Sequence, residues 1–233
     1  MKILFLLFVV FSAAAFNQNP NKVNDNSINN NKSFEGYIAF EVEMKNPMPN
    51  KLSTEAWEKI VKEQLGGSAK MIQKYYYKNE NYMSEMMMGK TKMMQVFNPA
   101  DKLLYNWQEG SNEATTINTA KYSDEVTEVI RLEETESILD IECNIMIIKS
   151  KMGEMKLWYN KDHFAADEQF YKGHVYSHCE RMLNEMGCLP IKLEQKGSMS
   201  HIVQTAIDYR VEAVDDKVFE IPNFKKVTPS PLN

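Results

Sequence analysis

The sequence predicts a mainly β protein built on a single antiparallel sheet, and three features carry that prediction. Short runs rich in Tyr, Met, Val and Ile alternate apolar with polar residues at period two. Turn residues rather than helices separate them, so neighbouring strands join as hairpins and not through crossovers. In the 233 residues, the clearest helical stripe is a short segment at 53–65.

The chain opens with Lys2, an apolar run from Ile3 to Phe11, and then Ser12-Ala13-Ala14-Ala15. A positive start, a short apolar core and small residues are the three parts of a secretory signal, so 1–15 reads as a leader cut before Phe16. The run is too short to span a bilayer, which takes about 20 apolar residues. No Cys follows the small residues, which argues against a lipid anchor. Residues 16–33 are dominated by Asn and hold almost no large apolar side chain, so they read as a disordered spacer.

From Phe34 the pattern changes. Ile38, Phe40, Val42 and Met44 alternate with Glu41 and Glu43, the signature of a half-buried strand that Pro47 and Pro49 end. Ser53 then caps a helix with Glu55 in its first turn, Trp57, Ile60, Val61 and Leu65 on one face, and Gly66-Gly67 at its end. Strands follow near 70–78, 81–88, 91–97, 102–107, 113–118, 126–137, 140–149, 153–159, 189–196, 199–213 and 217–221. Asn98-Pro99-Ala100-Asp101 and Lys151-Met152-Gly153 supply turn chemistry. The stretch 160–188 interrupts the strands as a loop with a helix over 178–187, where Cys179, Met182, Leu183 and Met186 share a face. The ordered domain therefore runs over 34–227, with 228–233 as a tail.

A net charge of −5 lacks the basic footprint that nucleic-acid binding needs. Methionine is abundant at 16 residues and concentrates in Met83, Met86, Met87, Met88, Met93 and Met94. Such a cluster fits core packing, an adaptable apolar groove, or a thioether site for Cu(I). His163, His174 and His178 fall in one loop region without the spacing of a sealed metal site, and read as exposed loop residues. Neighbouring carboxylates such as Glu133-Glu134 and Asp215-Asp216 point to opposite faces of a strand. Cys143 sits mid-strand between apolar residues, where a thiol is inert. No catalytic constellation emerges, so no enzyme, metal or cofactor is expected. The odd count of three cysteines leaves one pairing open. Helix rise would hold Cys179 and Cys188 about 13 Å apart, beyond disulfide reach. A bridge would then use Cys143, with Cys179 the favoured partner.

Several local features come in a familiar order. Phe34-Glu35-Gly36 opens the first strand, and Ile138-Leu139-Asp140-Ile141-Glu142-Cys143 leads into an alternating one. Gly153-Glu154 runs into Trp158-Tyr159, Gly187-Cys188-Leu189-Pro190 follows, and Asp216-Lys217-Val218-Phe219-Glu220-Ile221-Pro222 closes the series. This order resembles uncharacterised secreted bacterial proteins related to the lipoprotein carrier LolA and its lipid-binding relatives, over 34–227. The resemblance implies a curved antiparallel sheet, a half-barrel, with one or two helices on its concave face and an acyl-binding cavity between them.

The expected function is an exported, non-catalytic binding or carrier module for an apolar ligand: an acyl chain, a lipid or a lipidated partner. It would work in the periplasm or outside the cell, without nucleic acid and without stable membrane insertion. Trp57, Ile60, Val61 and Leu65 would form a helical lid, and Met86, Met88 and Met93 the floor. The alternative is an envelope interaction or metal-handling protein with a packed, ligand-free core. The oligomeric state is not written in the sequence.

Overall fold

The computed structural model of the chain describes residues 33–230 other than 69, 89 and 168. The expected leader, and all of the Asn-rich spacer except Ser33, lie outside the described residues.

The first strand, β1 (Gly36–Met44), is followed by helix α1 (Thr54–Gln64). A meander of hairpins comes next: β2 (Lys70–Lys78), β3 (Asn81–Met88), β4 (Thr91–Asn98), β5 (Leu103–Gln108) and β6 (Glu113–Asn118). A second meander comprises β7 (Val126–Ile138), β8 (Ile141–Ser150) and β9 (Gly153–Tyr159). After a long connection and helix α2 (Cys179–Met186), the chain adds β10 (Lys192–Gly197), β11 (His201–Val211) and β12 (Lys226–Pro229).

The described strands form one twelve-stranded sheet in the order β12-β6-β5-β4-β3-β2-β1-β11-β10-β9-β8-β7. It is curved but not closed into a barrel, and mainly β as predicted. β1 is the hinge of this order. It pairs with β2 on one side and β11 on the other, so the two meanders extend as wings from a central strand. Every pairing is antiparallel except β12 against β6, which is parallel.

Two glycines allow close backbone approach. A Cβ on Gly36, whose φ is +147°, would overlap the Arg210 carbonyl oxygen. At Gly153, opposite Gly197, it would overlap the Lys196 carbonyl oxygen. Only a residue without a side chain fits either place.

Register assigns the faces. Val42, Gln204, Leu193, Leu157 and Met146 lie in one row across five strands. Both helices cover this inner face. The apolar stripe of α1 joins Ile38, Phe40, Val42 and Met71 in the main core. Met182 and Met186 of α2 pack on Met146, Ile148, Met155 and Leu157 in a second cluster. Ser53 caps α1 as expected, its hydroxyl accepting from the Ala56 N–H at 3.3 Å. Gly187 in the left-handed region closes α2, with its N–H on the Leu183 carbonyl.

Two elements differ from the sequence reading. Residues 217–221, expected to be a strand, contain a 3-10 turn over Asp216–Phe219 capped by Asp215. Beyond it, part of the expected tail is β12. From Val214 to Phe224 the chain crosses the outer face of the β2–β6 wing as a strap. Val218, Phe219, Ile221 and Phe224 pack there on Met83, Val96, Trp107 and Ala114. The strap is pinned where it starts: the Val214 N–H donates to Glu35 Oε1 at 3.0 Å, and Lys78 Nζ donates to the Val214 carbonyl at 2.7 Å.

Candidate functional site

The side chains expected to line a groove beneath α1 instead fill the core. Trp57, Val61 and Leu65 are 7%, 2% and 2% exposed, and Met86 is buried. Trp57 Nε1 donates to the Met44 carbonyl at 2.8 Å, which fixes the indole against the end of β1. Ile60 and Met93 are half-buried; nothing is described of the Met88 side chain. The physical reason is fit: the stripe of α1 meets bulky Ile38, Phe40, Val42 and Met71, and large side chains on both sides close the interface.

The centre of the inner face is aromatic and polar rather than methionine-lined. Tyr77, Tyr82, Phe97 and Phe170 converge there with Tyr75 and Tyr171. His174, expected in an exposed loop, is 1% exposed, and its Nε2 lies 2.9 Å from Tyr82 Oη. Burial pulls its pKa down to about 4. Alongside runs a hydrogen-bonded polar row. Gln204 Nε2 donates to Gln73 Oε1 and Gln73 Nε2 donates to Ser84 Oγ, both at 3.1 Å. Gln95 Nε2 donates to Asn106 Oδ1 at 2.7 Å. These groups satisfy one another, as buried amides must.

His178 is also buried rather than exposed, with Nε2 3.1 Å from Asp124 Oδ2. Burial works to raise the Asp124 pKa, but hydrogen bonds from Ser150, His178 and the Met152 N–H outweigh it and hold the carboxyl low. The pair ties the approach to α2 to the β8–β9 turn. His163 is half-buried beside Phe164.

The expected Cys143–Cys179 bridge is absent: all three cysteines are free. Strand parity explains this. Cys143 shares its side of β8 with Ile145, whereas Met146 faces α2, and Cys179 packs with the α2 cluster. Burial pushes the Cys143 thiol up to about 11 and the Cys179 and Cys188 thiols up to about 12, far from a reactive thiolate.

Two open spaces lie elsewhere. A polar cleft of about 330 Å³ is lined by Glu35, Glu80, Asp167 and Gln169. Among the described residues, no group of three or more His, Cys, Asp or Glu side chains is arranged to hold a metal ion. The second space is more distinctive: a groove of about 430 Å³ on the outer face, between the strap and the β2–β5 wing. Met83 and Trp107 lie buried at its base, Tyr76 and Met94 are half-buried beside it, and Val218 and Pro222 of the strap form the opposite wall. Phe224 braces Trp107 with ring centroids 5.4 Å apart. Glu85, Glu109, Glu220 and Lys217 stand at the rim. Lys92 Nζ links two of the carboxylates, lying 2.5 Å from Glu85 and 3.9 Å from Glu109. Tyr76 Oη donates to Glu85 at 3.3 Å, and burial, with the Glu85 charge beside it, raises the phenol above its usual range.

The methionine-rich hairpin thus does line a groove, but with the opposite parity from the one expected. Met83 and Met94 face it, while Met86 and Met93 point to the inner face. Parity within β3 and β4 was readable from the sequence. Which parity met open space depended on the strap, whose path leaves no local signal.

Fold and groove together define an open, curved β-sheet protein with two helices on one face and a C-terminal strap on the other. The chain belongs to the family described as a domain of unknown function, DUF4412, whose model matches residues 34–223. No curated protein matches it. Among solved structures it is similar to PNGF-II, at 12% identity and a TM-score of 0.45 over 84% of this chain and 32% of that one. The chain therefore spans about a third of the PNGF-II chain. It is also similar to an uncharacterised conserved protein from Thermus thermophilus, at 8% identity and a TM-score of 0.45 over 86% of this chain and 93% of that one.

Proposed function

We propose that this chain is an exported, non-catalytic binding module that holds an apolar ligand in the outer-face groove beneath its strap. One observation carries the reading: an outer-face groove of about 430 Å³ whose accessible apolar lining is Tyr76, Met94 and Val218, over Met83 and Trp107 buried beneath. Ligand pockets typically measure about 300–1,000 Å³, and thioethers suit an adaptable apolar wall. The charge-apolar-small pattern of residues 2–15 supports export. The resemblance to LolA-like lipid-binding proteins supports an apolar ligand, although the groove lies on the face away from the helices. Raised thiol pKa values and buried, engaged histidines support a binding role over a catalytic one.

The test is calorimetric binding of dodecyl maltoside, below its micelle concentration, to the exported protein. Binding should be lost when Met94→Trp, at a half-buried lining position, fills the groove, and kept in Trp57→Ala. Absence of binding to wild type would overturn the reading. Loss in Trp57→Ala alone would return the ligand to the space beneath α1.

A further inference from the structure

The strap is held to the sheet differently at its ends and in its middle. At its start the Val214 N–H donates to Glu35, and Lys78 Nζ reaches the Val214 carbonyl and, at 2.7 Å, Asp216. At its end the Lys225 N–H donates to the Asn112 carbonyl at 2.8 Å, Lys226 Nζ lies 3.3 Å from Glu113, and β12 pairs with β6. Between these pins, among the described residues, no hydrogen bond or ion pair joins 217–224 to the sheet. The bonds this stretch makes are its own. The Val218 N–H donates to the Asp215 carbonyl at 3.0 Å, and the Glu220 N–H to the Lys217 carbonyl at 3.2 Å. Side-chain packing alone holds the middle: Val218, Phe219, Ile221 and Phe224, all half-buried, lie over Met83, Val96, Trp107 and Ala114. The groove leaves part of that interface unfilled. Segments with few buried contacts are the first to open locally.

We infer that residues 217–224 form a hinged cover, swinging off the outer face about two pinned ends while the sheet stays folded. The 3-10 turn moves intact because its hydrogen bonds are internal, so opening gives up only half-buried side-chain contacts. Opening uncovers Met83 and Trp107 and is the entry to the groove. That entry role rests on the binding reading above, whereas the motion itself needs no ligand.

Two methionines of β3 report the motion. Met83 and Met86 are three residues apart, 5% and 3% exposed, and on opposite faces of the sheet. Each thioether takes one oxygen atom from hydrogen peroxide, releasing water, once its sulfur is reached. The exported protein is treated with dilute peroxide under native conditions, and fragment-resolved mass spectrometry follows the sulfoxide at each position. Met83 should react about tenfold faster than Met86, because local opening is more frequent than wider unfolding. Low urea should raise the Met86 rate steeply and the Met83 rate little, since the cover exposes far less surface. Phe224→Ala should raise the Met83 rate several-fold, whereas peroxide entering past a fixed strap would leave it unmoved. Equal rates at the two positions, a Met83 rate that climbs with urea in step with Met86, or no response to Phe224→Ala would overturn the hinged cover. Calorimetry with dodecyl maltoside on the same protein separates the two readings. Binding alongside any of those three results leaves the groove reading standing with a fixed strap. Fast, urea-insensitive oxidation of Met83 without binding keeps the moving strap and removes the ligand.

Discussion

At His174 a titratable ring is held among Phe97, Tyr82 and Tyr171, where its charged form finds no solvent. Its folded pKa of about 4 lies below the ordinary 6.5, so between those values the unfolded chain binds more protons than the folded one. The sign follows: this contribution is complete above pH 6.5 and is lost as pH falls toward 4. It amounts to about 3 kcal/mol from the size of the shift. Urea unfolding of wild type should show that loss between pH 7 and 4.5, and His174→Phe should flatten it. An equal acid loss in both proteins would place the sensitivity elsewhere. Trp57, fully packed, should cost about 3–5 kcal/mol when replaced by Ala. Denaturation should show this together with unchanged dodecyl maltoside binding.

The strap is the element on which the site depends, and Val218, Phe219, Ile221 and Phe224 are only half-buried against the sheet. Phe224→Ala should therefore cost less than full burial of a ring suggests, about 1–3 kcal/mol. It should also free Trp107, read as a red shift of tryptophan emission. An unchanged spectrum would mean that the strap does not brace the groove floor. The sequence reading took 217–221 for a strand as one of the short apolar-rich segments between turn residues. Asp215 instead caps a 3-10 turn, its carboxylate accepting from the Lys217 N–H at 3.0 Å. β12 left no signal: its four residues pair in parallel with β6, more than a hundred positions earlier, and carry no alternation. By contrast α1 was legible end to end, because the Ser53 cap, the stripe and the Gly66-Gly67 stop are all local.

For the whole molecule, three free thiols predict a mass experiment. Denatured without reductant and alkylated, the exported protein should take up three labels, one per cysteine. Fewer labels would reveal a bridge and require α2 or β8 to sit differently. The same spectrum should give a chain beginning at or near Phe16; a mass retaining residues 1–15 would remove the argument for export. The long outer strand β7 carries Glu128, Glu133, Glu134 and Glu136 with two irregularities in its pairing to β8. Charges and bulges of this kind discourage edge-to-edge association.

The sequence by itself determined the mainly β class, nearly every hairpin and both helices, because period-two alternation, turn residues and caps act over a few neighbouring residues. It also determined which methionines share a face, since side chains on a strand must alternate. Only the tertiary structure decided that α1 meets a filled surface, that His174 and His178 are buried, and that Cys143 faces away from Cys179. The open groove likewise appeared only there, under a strap that starts beside β1 and ends on β6. Each of these depends on contacts between segments far apart in the chain, where local pattern has no purchase and the packing of opposing faces makes the choice.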